Sequence, residues 1–341
     1  MLHDLIPLLA SFFIILLGSE TFTNGIEWAG EKLGVAEAAV GSLLAAVGTA
    51  LPETFIPAVA LLSGLAHPGS AHNAVGVGAI VGAPLMLSTI ALMVMGVAAL
   101  SFQKRRGRIA LRVAREDARR DLGFFLPVFV AAVSIGTLFT LGPGARRIAA
   151  LVLLGVYAVY SWVMLRIDRD AEAEVEHGLY LESIFGGDGL HPRGMTIAIQ
   201  VAAGVALILV GAREFVERLV SVAGHAGVNA GVLSLILSPL ATELPEKYNS
   251  VIWIRQGKDH LALANITGAM VFQSCIPVAL GLAMTPWHLT GAEMIGSGVT
   301  IASAALLYVN LRDSEIGTPT LMLGGAAYAV FILGLVILGT I

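Results

Sequence analysis

Long apolar stretches separated by short polar breaks run through the whole chain, and this pattern predicts ten membrane-spanning helices. A helix needs about 20 mostly apolar residues to cross a bilayer, and more if it is tilted. Ten segments meet this requirement: 5–25, 34–63, 72–100, 123–141, 146–165, 194–217, 227–255, 260–284, 291–311 and 319–340. No small-residue cleavage site follows the first segment, so we expect it to be retained as a span. We predict an all-α integral membrane protein.

Composition supports a membrane protein. Of the 341 residues, 57% are hydrophobic and 13% are charged, and the mean hydropathy is +0.84. A soluble domain carries about 25% charged residues. The single cysteine, Cys275, excludes an internal disulfide and reads as a small buried hydrophobe.

Basic residues predict the orientation in the membrane. The insert 103–121 carries eight Lys or Arg, and the positive-inside rule places it in the cytoplasm. With ten spans, both termini then lie outside the cytoplasm in a plasma or inner membrane. A topology signal explains this cluster more simply than nucleic-acid binding does, so we expect no nucleic-acid partner. The other insert, 166–193, is expected to be a solvated cytoplasmic linker.

The two halves of the chain are related by an internal repeat. A shift of 193 positions places Gly18 on Gly211, Phe22 on Phe215, and one T-x-L-P-E segment on the other. We therefore divide the chain into a first repeat at 1–165, the linker, and a second repeat at 194–341. Five spans per half would invert the second copy relative to the first, which is the plan of many secondary transporters. Prolines predict that helices 2 and 7 are broken.

The repeated segments place charge at bilayer depth, where it is costly and usually functional. Glu53 and Glu246 are the strongest candidates for ligands of a cation at the membrane midplane. Thr49 and Thr242 add hydroxyl oxygens, and each proline exposes backbone carbonyls upstream of it. Ca²⁺ takes about 6–8 oxygen ligands. The alternative for either glutamate is a hydrogen bond to a neighbouring helix.

These residues carry a family resemblance. G-T-x-L-P-E at 48–53 and A-T-x-L-P-E at 241–246 are each followed by a span that contains N-x-x-G. The pattern resembles the two alpha repeats of the cation/calcium antiporter superfamily, which includes sodium/calcium exchangers. The resemblance implies electrogenic exchange of Na⁺ for Ca²⁺ by alternating access, with the repeat glutamates at the ion sites. It implies no cofactor beyond the transported cations.

The chain departs from that pattern at several positions. The family usually has serine before L-P-E, where this chain has Ala50 and Glu243. Side-chain oxygens are missing after N-x-x-G in the third span, at 76–81, and only Gln273 remains in the eighth. Glu243 and Lys247 are four residues apart and share a helix face if the turn is intact. Lys247 then either neutralises Glu243 as a structural pair or acts as a gating or charge partner beside Glu243 as a third carboxylate ligand.

Three readings of the function follow from the sequence. The first is an antiporter that exchanges Na⁺ for Ca²⁺ or a related cation. A proton-driven antiporter of the same superfamily is the alternative, and a transport-incompetent regulatory homologue is the third. An enzyme is disfavoured because the chain has no His-Glu-x-x-His motif and no persuasive Ser-His or paired-aspartate arrangement.

Overall fold

The computed structural model of the chain describes residues 2–32, 45–167, 178–184, 192–289, 291–311, 314–337 and 339–340. These residues are almost entirely helical, which confirms the predicted all-α class. The helices of the first half are α1 (Leu2–Lys32), α2 (Ala45–Ala66), α3 (His72–Met86), α4 (Leu92–Ser101), α5 (Gln103–Arg106), α6 (Arg115–Leu138) and α7 (Pro143–Ile167). Those that follow are α8 (Tyr180–Ile184), α9 (Gly194–Ala226), α10 (Ala230–Thr242), α11 (Leu244–Gln256), α12 (Asp259–Met284), α13 (Gly291–Asn310) and α14 (Thr318–Ile337). A π-helical turn, Leu87–Ala91, joins α3 to α4.

Eight helical segments in the described part of the chain are long and apolar enough to span a membrane. They confirm a multi-pass membrane protein. The third of the predicted spans is the continuous run of α3, the π turn and α4, from His72 to Ser101. The second and seventh predicted spans correspond to α2 and to the α10–α11 pair, which are shorter or interrupted. The total of ten spans stays a prediction.

The two spans that were predicted to be broken differ in their backbone. Helix α10 ends at Thr242 and α11 begins at Leu244, with Glu243 between them at φ −95° and ψ 10°. By contrast, α2 is one helix through its L-P-E segment. One proline removes a single bond from the helical ladder, and a membrane helix can carry that loss. The predicted start of this span, 34–44, lies outside the described residues.

Helices α1 and α9 pack closely, and their contacts repeat across the two halves. A Cβ atom on Gly18 would lie 2.8 Å from the backbone N of Ile208, and one on Gly211 would lie 2.8 Å from Cγ1 of Ile15. Small residues allow this close approach. The shift of 193 exchanges Gly18 with Gly211 and Ile15 with Ile208, so the same contact occurs twice. Residue numbers rise along α1 as they fall along α9, which means that the two helices are antiparallel and the second copy is inverted.

Polar contacts gather one set of loops that the sequence predicts to be cytoplasmic. Arg106 and Arg108 donate hydrogen bonds to the buried carboxylate of Asp259, at 2.6 and 2.9 Å. Arg119 donates to the carbonyl of Leu311 at 3.3 Å. Beside them, the two-residue strands β1 (Leu111–Arg112) and β2 (Glu315–Ile316) pair in antiparallel register. The loops after α4, α11 and α13 therefore meet at one end of the bundle.

A second set of loops meets elsewhere, among segments that are predicted to lie outside. Asp4 is 3.7 Å from Arg218 and 3.2 Å from His225, and His72 is 3.4 Å from Glu217. In both sets, segments predicted to share a side of the membrane are in contact. Which set faces the cytoplasm stays a prediction.

Part of the predicted linker is docked rather than solvated. Leu179 is fully buried in a cluster with Trp28 of α1 and Ile197 of α9. The side-chain oxygen of Asn24 accepts a hydrogen bond from the backbone N of Tyr180 at 3.1 Å. Leu179 supplies the apolar contact from the short apolar run 179–181. The expectation of a solvated connector is therefore wrong for Leu179 and Tyr180, whereas Ile184 is exposed.

Helices α3 and α12 form the interior of the bundle. Both are buried over most of their length, whereas α1, α6, α7, α9 and α14 each expose a broad apolar face. The α2 helix and the α10–α11 pair pack against this interior. The helices that carry the two L-P-E segments therefore lie beside the most buried spans in the described part of the chain.

Candidate ion-binding site

The break between α10 and α11 follows from two features of the local sequence. Pro245 lies in the first turn of α11, where its fixed φ suits a helix start and its missing N–H costs nothing. Glu243 closes α10, because its N–H bonds to the carbonyl of Pro239 at 3.0 Å. The carbonyl of Glu243 in turn accepts from the backbone N of Lys247 at 3.3 Å. Helical i to i−4 hydrogen bonds therefore continue on both sides of Glu243, although the dihedral angles of Glu243 itself leave the helical region.

Four charged side chains are buried beside this break. Glu53 is 5% exposed, Glu243 0%, Glu246 3% and Lys247 7%. Glu53 comes from α2, and it interacts electrostatically with Glu246, Glu243 and Lys247 from the second repeat. The two repeat glutamates thus lie within electrostatic range of the Glu243–Lys247 pair, and the role of these residues as a shared ion site stays a prediction.

Glu243 and Lys247 form a buried ion pair. The Lys247 ammonium donates to Oε2 of Glu243 at 3.0 Å and to the backbone carbonyl of the same residue at 3.2 Å. Nε2 of Gln273, on α12, donates to the other oxygen of Glu243, Oε1, at 3.4 Å. Both carboxylate oxygens of Glu243 thus have partners. The predicted shared helix face is present, because the turn across Pro245 stays intact.

The repeat glutamates contrast with Glu243. Among the described residues, neither carboxylate oxygen of Glu53 has a hydrogen-bond partner, and Oε2 of Glu246 also lacks one. Oε1 of Gln273 is buried and unpartnered as well. Buried polar atoms are nearly always hydrogen-bonded in proteins, so such atoms call for an explanation. A cation coordinated by these oxygens would explain why they have no hydrogen-bond partner.

Of the two predicted hydroxyl ligands, the structure describes the side chain of Thr242 only. The Thr242 hydroxyl is buried and donates to the carbonyl of Ser238 at 3.2 Å, which leaves its oxygen lone pairs available. The Thr49 side chain lies outside the described residues, although its backbone belongs to α2. The metal-ligand roles of both threonines stay predictions.

Glycines in α3 explain why this helix brings no side-chain oxygen to the site. A Cβ on Gly78 would lie 2.2 Å from the carbonyl oxygen of Gly231, and one on Gly82 would lie 2.3 Å from that of Leu235. The backbone of α10 therefore occupies the space that a ligand side chain would need. Val77 and Gly78 occupy the positions where the family usually has serine and asparagine. Close packing against α10 therefore accounts for the glycine at 78, whereas Val77 carries an apolar side chain.

Sequence reasoning missed two parts of this region. Ser234 donates to the carbonyl of Val75 at 2.7 Å and lies 2.8 Å from the hydroxyl of Ser238, which ties α10 to α3. The spacing of four residues between these serines was the available signal. Tyr328 of α14 lies within electrostatic range of Glu243. Nothing in the local sequence of α14 indicates that contact.

Among the described residues, no group of three or more His, Cys, Asp or Glu is close enough to hold a metal ion as a finished cluster. The described carboxylates therefore do not form a complete metal-binding cluster by themselves. Carbonyl and amide oxygens would have to complete the coordination of an ion between them.

An inverted helical repeat with buried charge at an interrupted helix defines a secondary transporter rather than an enzyme. Residues 3–166 and 196–340 match the sodium/calcium exchanger protein family. The chain belongs to this family of membrane antiporters, and the suspected resemblance is confirmed.

Relatives of similar length support the assignment. The chain is 24% identical to the putative antiporter CaxA of Alkalimonas amylolytica over 320 residues, which cover 93% of this chain and 92% of the relative. It is 25% identical to the inner membrane protein YrbG of Escherichia coli over 260 residues, or 74% of this chain and 71% of the relative.

Two solved structures share the fold. The H⁺/Ca²⁺ exchanger CAX superposes with a TM-score of 0.73 at 19% identity, covering 98% of this chain and 82% of that protein. The sodium-calcium exchanger NCX_Mj superposes with a TM-score of 0.61 at 20% identity, covering 97% and 98%. At these identities the likeness concerns the fold.

Proposed function

We propose that the chain is an antiporter that exchanges Na⁺ for Ca²⁺ or a related divalent cation by alternating access. Glu53 and Glu246 bind the cation near the membrane midplane. The observation that carries this proposal is the pair of buried repeat glutamates with unpartnered carboxylate oxygens. Family membership supports cation antiport, and the inverted repeat supports alternating access.

The available oxygens suit a hard cation. Glu53 supplies two unpartnered oxygens, and Glu246 and Gln273 supply one each. Ca²⁺ takes about 6–8 oxygens at flexible positions, so hydroxyls of Thr49 and Thr242, backbone carbonyls and water complete the shell. The two carboxylates also match the charge of one divalent cation.

A proton is the second candidate for the counter-ion. The observation that favours it is the absence of side-chain oxygens at 76–81 in α3. A sodium ion needs several oxygens around it, whereas a proton needs a single carboxylate oxygen. The fold likeness to a protein named as an H⁺/Ca²⁺ exchanger is compatible with this candidate.

The membrane orientation belongs to the same proposal. The basic insert 103–121 and the linker 166–193 face the cytoplasm, and both termini lie on the opposite side. Contacts among the loops after α4, α11 and α13 support a common side for these segments.

Ion flux into proteoliposomes tests the function. With an outward Na⁺ gradient, we expect uptake of radioactive Ca²⁺ by the wild type. Glu53→Gln and Glu246→Gln should each lower that uptake at least about 100-fold, because each removes one of two negative charges that hold the ion. Glu116→Gln is the matched control, since Glu116 is exposed in the first turn of α6.

Each alternative has its own outcome in this assay. Uptake that follows a pH gradient and ignores Na⁺ would select the proton as counter-ion. Uptake that survives Glu53→Gln and Glu246→Gln would contradict the assigned site. No Ca²⁺ movement under any gradient would favour the regulatory homologue.

A further inference from the structure

The candidate site contains a fixed positive charge that belongs to the protein. Glu53 interacts electrostatically with Glu246, Glu243 and Lys247, and Glu246 with the latter two. Lys247 is 93% buried, given its exposure of 7%, and its ammonium lies 3.0 Å from a Glu243 carboxylate that is fully buried. An ammonium in such a place must keep its partners, because an unpaired buried charge is costly.

Lys247 is held by its own helix turn. It donates both to the Glu243 carboxylate and to the Glu243 carbonyl, and Glu243 is further fixed by Gln273 from α12. Three groups on two helices thus form one connected network. This network engages both oxygens of Glu243, whereas three oxygens of Glu53 and Glu246 have no partner among the residues that the structure describes.

The net charge of these four side chains determines how many cations neutralise the site. Three ionised carboxylates and one ammonium leave the cluster with two negative charges. One divalent cation neutralises these charges, and so do two monovalent cations. Either loaded form of the site is then neutral.

We propose that Lys247 is a resident cation that cancels the charge of Glu243 and thereby makes the exchange electroneutral, with two monovalent ions moved for each divalent ion. The inference rests on the proposed function, and it replaces the electrogenic exchange that the family resemblance implies. Lys247 acts as a stoichiometry-determining residue, through charge, without binding a transported ion itself.

Substitutions can make the net charge of this cluster either more negative or less negative. Lys247→Met leaves three negative charges, so a third monovalent ion enters and each cycle carries one positive charge with the monovalent ions. Glu243→Gln leaves one negative charge, so each cycle carries one positive charge with the divalent ion. The double variant Glu243→Gln/Lys247→Met restores two negative charges.

The test measures the final Ca²⁺ ratio across proteoliposomes at a fixed Na⁺ gradient, at zero potential and at 100 mV inside negative, set with K⁺ and valinomycin. One net charge per cycle shifts that ratio about 50-fold at 100 mV. We expect no shift for the wild type or the double variant. The inside Ca²⁺ should fall about 50-fold for Lys247→Met and rise about 50-fold for Glu243→Gln.

Several outcomes would overturn the inference. A wild-type ratio that shifts with potential contradicts electroneutral exchange, even though the protein is an antiporter. A double variant that becomes voltage-dependent contradicts the charge count, and this variant stays informative if Lys247→Met fails to fold.

A binding measurement separates this inference from the proposed function. Displacement of radioactive Ca²⁺ by Na⁺ from the detergent-solubilised wild type should show a Hill slope near two. A slope near three would overturn the role of Lys247, even if vesicles show no flux. Ca²⁺ flux that survives Glu53→Gln would instead contradict the proposed site, whatever its voltage dependence.

Discussion

The two T-x-L-P-E segments share their motif but differ in structure and in charge. In α2 the segment is an uninterrupted helix, and neither oxygen of its Glu53 has a hydrogen-bond partner within the described part of the chain. In the second copy the chain breaks at Glu243, and Lys247 pairs with that residue. The shift of 193 aligns Glu243 with Ala50 and Lys247 with Thr54. The shared proline therefore does not decide by itself where the helix breaks, and the added ion pair marks the difference.

The largest expected stability effect comes from splitting that pair. Lys247→Met leaves the Glu243 carboxylate buried without its cation, which costs about 3–5 kcal/mol. We expect a large drop in the midpoint of thermal unfolding in detergent. The same substitution combined with Glu243→Gln should recover most of the loss, because a neutral pair needs no compensation. If Lys247→Met unfolds at the same temperature as the wild type, the Glu243–Lys247 pair does not stabilise the second segment, and the proposed difference from the first segment is wrong.

The α1–α9 contact offers a smaller effect that should be equal in the two halves. Gly18→Ala and Gly211→Ala each place a Cβ at about 2.8 Å from Ile208 and Ile15, respectively. Overpacking of this kind costs about 1–3 kcal/mol. We expect similar losses of thermal stability from both substitutions. Clearly unequal losses would contradict the symmetric contact.

Gly155→Ala is the matched control for that pair of substitutions. Gly155 lies in helix α7, is exposed, and has open space where its Cβ would be. Alanine there should leave stability unchanged or raise it by about 0.5–1 kcal/mol, through the lower flexibility of the unfolded chain.

The smallest expected loss of stability comes from the N-terminus of α10, the helix that leads into the second T-x-L-P-E segment. The Asn229 side chain accepts from the backbone N of Gly231 at 2.8 Å and of Val232 at 3.3 Å. Asn229→Ala should lower stability by about 1 kcal/mol, as loss of a helix N-cap does. Thermal unfolding measures it, with the exposed Asn310→Ala as a control within about 0.5 kcal/mol of the wild type. An unchanged midpoint for Asn229→Ala would mean that tertiary contacts alone hold α10 in place.

The sequence predicts those features that depend on local spacing. Apolar runs indicate the spans, the shift of 193 indicates the repeat, and four-residue spacing indicates the Glu243–Lys247 pair. The closure of the space beside Gly78 by α10 does not follow from spacing, because it depends on how closely two distant helices approach. The same holds for Tyr328 near Glu243. Leu179 was missed because the apolar run 179–181 is too short to show a helical period.

The antiparallel contact of α1 with α9 has a consequence for how such a chain can be assembled. An interface in which residue i of one partner meets residue j of the other, and j meets i, is the isologous interface of a two-fold dimer. The exchange of Gly18 and Ile208 with Gly211 and Ile15 has that form within one polypeptide. The joint between the two halves thus has the two-fold form of a dimer interface, although both partners belong to one polypeptide.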